Sequence, residues 1–303
     1  MTDFELFRYS ARSIGGVTIE NLTTRAGLRT VIERYGIQTR KKLGQHFLVD
    51  THVVEKIISA ADLSKDDCVL EIGPGPGGLT QALSAHAGHI VAVELDKQLI
   101  PVLTELFPGP NITIIQGDIL KLSLHEILAP HTGCPIKVVA NLPYYITTPV
   151  ILYLLESGLP FKSVTVMVQK EVAKRMAASP GTKDYGSLTL AIRYYADVEL
   201  VANVPVNCFM PRPAVDSAVV HIRLRPGPPV TTDKTVLFKI IHAAFNQRRK
   251  TLVNALAAGL GIDKPHITEV LADCGFKADI RGETLDMAAF ARIAEMLFIR
   301  FPV

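Results

Sequence analysis

The sequence predicts an α/β fold: a Rossmann-like, mostly parallel sheet followed by a small all-helical C-terminal domain. Three observations carry this. Cys68-Val69-Leu70-Glu71-Ile72 is an apolar, strand-like run that enters Gly73-Pro74-Gly75-Pro76-Gly77-Gly78 and then a helical pattern, the order of a nucleotide-type binding element. Further strand-like runs then follow, separated by helix-period stretches, and that alternation builds parallel sheets. Finally, Arg225-Pro226-Gly227-Pro228-Pro229 is the clearest linker in the chain, and residues 233–303 beyond it are helical by period, broken at Gly259-Leu260-Gly261 and Gly275. The expected division is a flexible tail over 1–20, a sheet domain over 21–228 and a helical domain over 229–303.

At 303 residues, 48% hydrophobic and 20% charged, the chain can bury a sizeable core. A net charge of +3 is too mild to name a partner. Cys68, Cys134, Cys208 and Cys274 form no C-x-x-C pair, which argues against a zinc site or a disulfide framework and suits a reducing cytoplasm. No apolar run reaches the length of a membrane span. Residues 1–20 carry Asp3, Glu5 and Glu20 without an apolar core, which argues against a secretory signal; their Arg and Ser content leaves an organellar-transit reading beside that of a frayed tail.

Taken in order, Thr24 to Tyr35 has helical periodicity and ends at Gly36, a C-cap signal. The next stretch sets Arg40-Lys41-Lys42 beside Gly44-Gln45-His46-Phe47-Leu48. His46 has no clustered His, Cys or carboxylate in sequence, so a place beside a ligand is favoured over a metal-binding role. The glycines after Ile72 let a ligand approach the backbone, and the following helix offers free N–H groups. The next strand, His89 to Glu94, ends in an acid about twenty residues past Gly73, where a carboxylate accepts both hydroxyls of a ribose. Ile112 to Gln116 is a third strand, ending at Gly117-Asp118-Ile119, where Asp118 can accept from an adenine amino group while Ile119 packs on the ring.

The run Val138-Val139-Ala140 then enters Asn141-Leu142-Pro143-Tyr144. Pro143 fixes a φ angle and restricts Leu142. An Asn carbonyl and a nearby backbone carbonyl can together take both hydrogens of an exocyclic NH2, and Tyr144 can lie against a flat base. An ordinary turn is the bland reading of this tetrapeptide alone. Glycine loop, ribose acid, adenine acid and Asn-Leu-Pro-Tyr in chain order form the ground plan of an S-adenosylmethionine-dependent methyltransferase acting on an amino group, with a dehydrogenase as the lesser reading.

Six dispersed motifs extend this. Gly44-Gln45-His46-Phe47-Leu48, Glu71-Ile72-Gly73-Pro74-Gly75, Asn141-Leu142-Pro143-Tyr144, Gln169-Lys170-Glu171-Val172, Phe209-x-Pro211-x-Pro213-x-Val215-Asp216-Ser217 and Phe245-Asn246-Gln247-Arg248-Arg249-Lys250-Thr251 resemble the ribosomal RNA adenine dimethyltransferases of the bacterial KsgA/RsmA type, over roughly residues 22 to 298. The resemblance implies a seven-stranded class I methyltransferase fold with a small helical domain that binds RNA. It also implies dimethylation at N6 of two adjacent adenosines in the 3′-terminal hairpin of 16S rRNA, in an immature small subunit. It places His46, Leu48, Gly73, Gly75, Glu94, Asp118 and Asn141 at the cofactor, and Asn141, Leu142, Pro143, Tyr144 and Phe209 at the reacting base, with Phe209 helping Tyr144 to sandwich it. His46, where many members carry Asn, suggests a contact through the backbone. A monomer is expected, with no membrane and no metal, because the sulfonium already supplies the positive charge.

The remaining elements follow. Pro149 to Glu156 reads as a helix, Ser163 to Val168 as the fifth strand, Gln169 to Met176 and Leu188 to Tyr195 as helices, and Val198 to Val204 and Ser217 to Leu224 as the last two strands. The prolines around Arg212 make a stiff loop that could hold Phe209 opposite Tyr144; a buried core Phe is the alternative. Arg248, Arg249 and Lys250 are assigned to the first C-terminal helix. With Lys41 and Lys42 they are candidates for phosphate contact, solubilising charge being the plainer reading. Two other functions stay open: a large-subunit resistance methyltransferase, a group that usually carries Asn-Ile-Pro-Tyr and lacks the Asn-Gln-Arg-Arg-Lys segment, and a ribosome-assembly factor that depends little on catalysis.

Overall fold

The computed structural model describes residues 12–14, 17–19 and 21–301, with side chains from residue 21 onward except that of Lys41. The chain divides into two compact units. The first runs through Ala173 and includes Glu199–Leu224; the second comprises Lys174–Val198 and everything from Arg225. Residues 174–198, which sequence periodicity leaves in the sheet domain, therefore belong with the helical one. The reason is packing: Tyr185, Leu190 and Tyr194 are buried in one core with Ile240, Ile241, Leu256, Val270 and Phe290.

The main sheet has seven strands, numbered here in chain order: β1 Cys68–Ile72, β2 His89–Glu94, β3 Ile112–Gln116, β4 Ile136–Asn141, β5 Phe161–Gln169, β6 Ala196–Val204 and β7 Ser217–Leu224. Their spatial order is β3-β2-β1-β4-β5-β7-β6. The pairs β1·β2, β1·β4, β2·β3 and β4·β5 are parallel, and β7 lies antiparallel to β5. Order reverses between β1 and β4, the switch point beside which such sheets bind ligands at their carboxyl ends. β1 is buried at all five positions, as a central parallel strand covered on both faces must be.

Helices flank these strands with the expected punctuation. Arg25–Tyr35 starts at Thr24, whose side chain accepts from Gly27 N, and stops at Gly36 with φ 60°. Thr51–Ala61 starts at Asp50, whose side chain accepts from Val53 N, and its Val53, Val54, Ile57 and Ile58 join Val69, Ile90, Val139, Met167 and Val219 in one core.

Two small pairings have no signal in the sequence. Arg12–Ile14 pairs antiparallel with Val17–Ile19 inside the stretch read as a tail; the rest of that tail lies outside the described residues. Phe47–Leu48 pairs antiparallel with Phe209–Met210. That second pairing joins segments more than 160 residues apart and positions part of the site.

Candidate active site

One cleft opens at the carboxyl ends of β1 to β4, and the residues around it come from the motifs singled out above: Gly44–Leu48, Gly73–Pro76, Glu94, Gly117–Leu120 and Asn141–Ile146. The glycine turn is left-handed at Gly73 and Gly77, with φ 69° and 93°. A side chain at Gly77 would also put its Cβ 2.4 Å from the Phe107 ring. At Gly73 an added Cβ would stand 3.9 Å from Pro143 Cδ, so the glycine loop and the Asn-Leu-Pro-Tyr loop border one space.

Glu94 is 6% exposed, and its carboxylate already has two partners: Oε2 accepts from Gly75 N at 3.0 Å and Oε1 from Asp96 N at 2.7 Å. Each oxygen keeps a second lone pair for a ligand hydroxyl. Burial raises its pKa, while the Asp96 and Gly75 N–H groups pull it back. Glu94 thus braces the glycine loop as well as facing the cleft. Asp118 is half-buried, accepts from Leu120 N at 3.1 Å and has Lys121 at 3.7 Å, with Ile119 buried beside it.

Behind the loop, Glu71 is 1% exposed, and neither carboxylate oxygen has a hydrogen-bond partner. Burial pushes it up to about 8; Thr80 offsets part of this and nearby Glu94 adds to it, although Thr80 Oγ1 itself has no partner within hydrogen-bonding geometry. Burial thus favours the neutral form of Glu71, one strand from an acid stabilised by backbone N–H groups.

The Asn loop is held from three sides. Leu142 N donates to Met167 O at 3.2 Å, and Pro143 O accepts from Ile146 N and from Thr147 Oγ1, both at 3.2 Å. Asn141 Nδ2 donates to His46 O at 2.9 Å. A backbone oxygen can only accept, so the Asn141 amide must present its nitrogen there and keep its carbonyl for something else. Neither Asn141 Oδ1 nor Leu142 O accepts a hydrogen bond among the described residues, so both remain available as acceptors. His46 thus contributes its backbone oxygen here. Its ring has a further role: Nδ1 donates to Pro211 O at 2.9 Å, and the ring stacks on Tyr144 with centroids 5.7 Å apart and planes at 28°.

Tyr144 is half-buried, and its hydroxyl shares a 2.7 Å hydrogen bond with Ser217 Oγ. Burial holds the phenol above its usual range, with Ser217 offsetting part of the rise. It is a neutral, oriented ring and no base. Ser217 belongs to a quoted motif, yet no spacing rule assigns it this contact. Sequence reasoning also missed buried Asp96, which takes Gln45 Nε2 at 2.9 Å and Arg40 Nη1 at 3.3 Å and so ties the Gly-Gln-His-Phe-Leu segment to the end of β2.

Phe209 corrects an expectation. It is 0% exposed, inside the core with Leu48, Ile57, Leu79 and Val219. Its backbone pairs with Leu48, and that pairing turns the ring inward, so the ring facing Tyr144 is that of His46. The basic run is corrected too. The helix Lys234–Asn246 ends before it, and residues 247–250 form a turn closed by Lys250 N to Gln247 O at 2.8 Å. Arg248 is taken by Glu283 at 2.9 Å and by the Thr182 carbonyl at 3.2 Å. Arg249, Lys250 and Lys42 are exposed; the Lys41 side chain lies outside the described residues.

The glycine cradle, the buried Glu94 and the unpaired acceptors fit a bound S-adenosylmethionine beside an amino group. A profile of the family described as ribosomal RNA adenine dimethylase matches residues 36–292. The chain is 53% identical to a ribosomal RNA small subunit methyltransferase A of Lachnoclostridium phytofermentans, over 88% of this chain and 94% of that one. It is 43% identical to the protein of that name in Bacillus mycoides, over 93% and 99%. Among solved structures, a dimethyladenosine transferase from Plasmodium falciparum superposes with TM-score 0.74 at 27% identity, covering 85% of this chain and 99% of that one. The 23S rRNA methyltransferase ErmE does so with TM-score 0.64 at 26% identity, covering 83% and 99%.

Proposed function

Because the chain belongs to the ribosomal RNA adenine dimethylase family, we propose that it converts two adjacent adenosines near the 3′ end of small-subunit rRNA to N6,N6-dimethyladenosine. The observation that carries this reading is the pair of acceptors Asn141 Oδ1 and Leu142 O, left unpaired beside a stacked Tyr144. When bound, S-adenosylmethionine supplies an electrophilic methyl group on sulfur. Gly73 and Gly75 let it approach the backbone, Glu94 takes its ribose hydroxyls, Asp118 its adenine amino group, and the His46–Leu48 segment with Asn141 lines its methionine end.

The chain's own contribution to chemistry is positioning. An adenine N6 hidden in a duplex must first be unpaired and held by stacking, and Tyr144, oriented through Ser217, offers the ring. The N6 lone pair is ordinarily delocalised into the purine. Asn141 Oδ1 and the Leu142 carbonyl accept its two hydrogens and favour a pyramidal nitrogen with its lone pair free for in-line attack. Pro143 keeps both acceptors in register. Alignment of this kind supplies several kcal/mol of a barrier, on the order of 7–11 in the best intramolecular cases. No residue here need act as a base before nitrogen becomes cationic.

Phosphate grip falls to Lys42 on the first unit and to Arg249 and Lys250 on the second, with Arg248 held back by Glu283. The proposed substrate is an immature small subunit in the cytoplasm, met by a monomer. No described helix is long and apolar enough to cross a membrane. Mass spectrometry of rRNA from cells with and without the gene tests the reading. Loss of both dimethyladenosines from the small subunit is expected; an unchanged small subunit and a lost large-subunit mark would point to the activity named for ErmE.

A further inference from the structure

At the opposite edge of the sheet, where the strands begin, Cys68, His131 and Cys134 bring their ligand atoms within 4.8 Å of one another. Cys68 opens β1, and the other two sit in the turn that leads into β4. This grouping is built by the main chain. Cys68 N donates to Pro135 O at 2.9 Å and Cys68 pairs in register with Ile136, which fixes the turn against the strand. The turn itself is closed by Cys134 N to His131 O at 3.2 Å, with Cys134 Sγ 3.1 Å from the same oxygen. His131-Thr132-Gly133-Cys134 thereby has the two-residue spacer of a chelating pair, with His in place of the first Cys.

We propose that these three side chains form a structural site for a single borderline-soft divalent cation, with Zn2+ as its ligand of choice. Two thiolates and an imidazole are the donor set that selects Zn2+ over Mg2+ or Ca2+. Bonds of about 2.3 Å to sulfur and 2.0–2.1 Å to nitrogen require the donors to stand nearer than 4.8 Å, so binding would draw them together. Cys68 is fully buried, whereas His131 and Cys134 are half-exposed, so the ion enters through the turn. His89, in register with Cys68 on β2, has its ring 5.1 Å from that of His131, which leaves its imidazole or a water for the fourth position. On binding, each thiol releases its proton to solvent and its sulfur donates an electron pair to the metal; nothing is oxidised. The site stands away from the cleft and joins β1 to the entry of β4, so its role is to hold the sheet.

The test is made on the full chain under a phosphine reductant. Zinc content is measured by elemental mass spectrometry, affinity by competition with a chromophoric chelator, and Co2+ substitution by thiolate-to-metal absorption. Cys134→Ser and His131→Ala lie in a half-exposed turn and are checked for folding by circular dichroism. One Zn2+ per chain is expected, with thiolate-to-Co2+ absorption and an affinity lowered more than about tenfold in each folded variant, a scale that even outer partners of a metal site reach. Chelation should lower the Tm of the wild type and leave that of the variants unmoved. Substoichiometric zinc, or wild-type affinity in both variants, would overturn the proposal.

Discussion

The two edges of the same parallel sheet differ in how they are built. At the carboxyl edge, four loops leave β1 to β4 and each brings a motif that is contiguous in sequence: the glycine turn, Glu94, Asp118 and Asn-Leu-Pro-Tyr. At the amino edge, Cys68, His131 and Cys134 meet across a gap of more than sixty residues, and only the pairing of β1 with β4 joins them. The lesson concerns where sequence is informative. A loop that must cradle a ligand carries its glycines and prolines locally, whereas Cys68 meets the His131–Cys134 pair only through strand register.

The largest effect expected from disturbing the carboxyl edge is at Asn141. Asn141→Ala removes an acceptor and releases the His46 backbone oxygen, so methyl transfer should fall by at least about a hundredfold, the scale of a small misplacement of reacting atoms. Single-turnover kinetics at saturating cofactor measure this, and a loss confined to cofactor affinity would reassign Asn141 to binding alone. Glu94→Ala should weaken S-adenosylmethionine by about 1.5–3 kcal/mol, the range of hydrogen bonds to a charged group. Calorimetry on the folded variant reporting wild-type affinity would remove the ribose assignment.

Next in size is a contrast between two buried acids on adjacent strands. Glu71 is raised to about 8 in the folded chain, so between roughly pH 4.5 and 8 the native state binds a proton that the unfolded state has lost. Stability must therefore fall as pH rises through that window and level off above it. Glu71→Gln should flatten the fall, leaving Tm little changed at pH 5 and raised at pH 9. A parallel pH profile in both proteins would mean that Glu71 is ionised in the native state.

The smallest effect concerns the RNA grip. Replacing Lys42, Arg249 and Lys250 by Gln should lower the log–log salt dependence of subunit binding by about 0.7–0.9 per lost phosphate contact. Arg248→Gln should add little to that slope and instead cost stability through Glu283 and Thr182. A slope that drops equally for Arg248 would return it to the phosphate set.

Much of the carboxyl edge was legible beforehand because strand ends and proline-stiffened loops announce themselves. Helix ends at Gly36 and Glu156 and the bounds Ser217–Leu224 of the last strand agree between sequence and structure. What escaped depends on tertiary pairing. The Phe47–Leu48 and Phe209–Met210 pairing decides that Phe209 turns inward. Ser217 meets Tyr144 only because β7 runs antiparallel to β5, and Tyr185 and Tyr194 join the helical core although they precede the last strand. A charge run also says nothing of its partners, and Glu283 had already claimed Arg248.

On the proposed function, Tyr144 is an oriented ring that holds an adenine for transfer at the carboxyl edge. Its direct measurement is methyl transfer from labelled S-adenosylmethionine to immature small subunits by wild type and Tyr144→Ala, with cofactor affinity determined on the same samples. The expected result is two dimethyladenosines per subunit with the wild type, and with the variant near-wild-type cofactor affinity and transfer lowered by about a hundredfold or more. Undiminished transfer by Tyr144→Ala, or label entering naked large-subunit RNA in preference to small subunits, would contradict it.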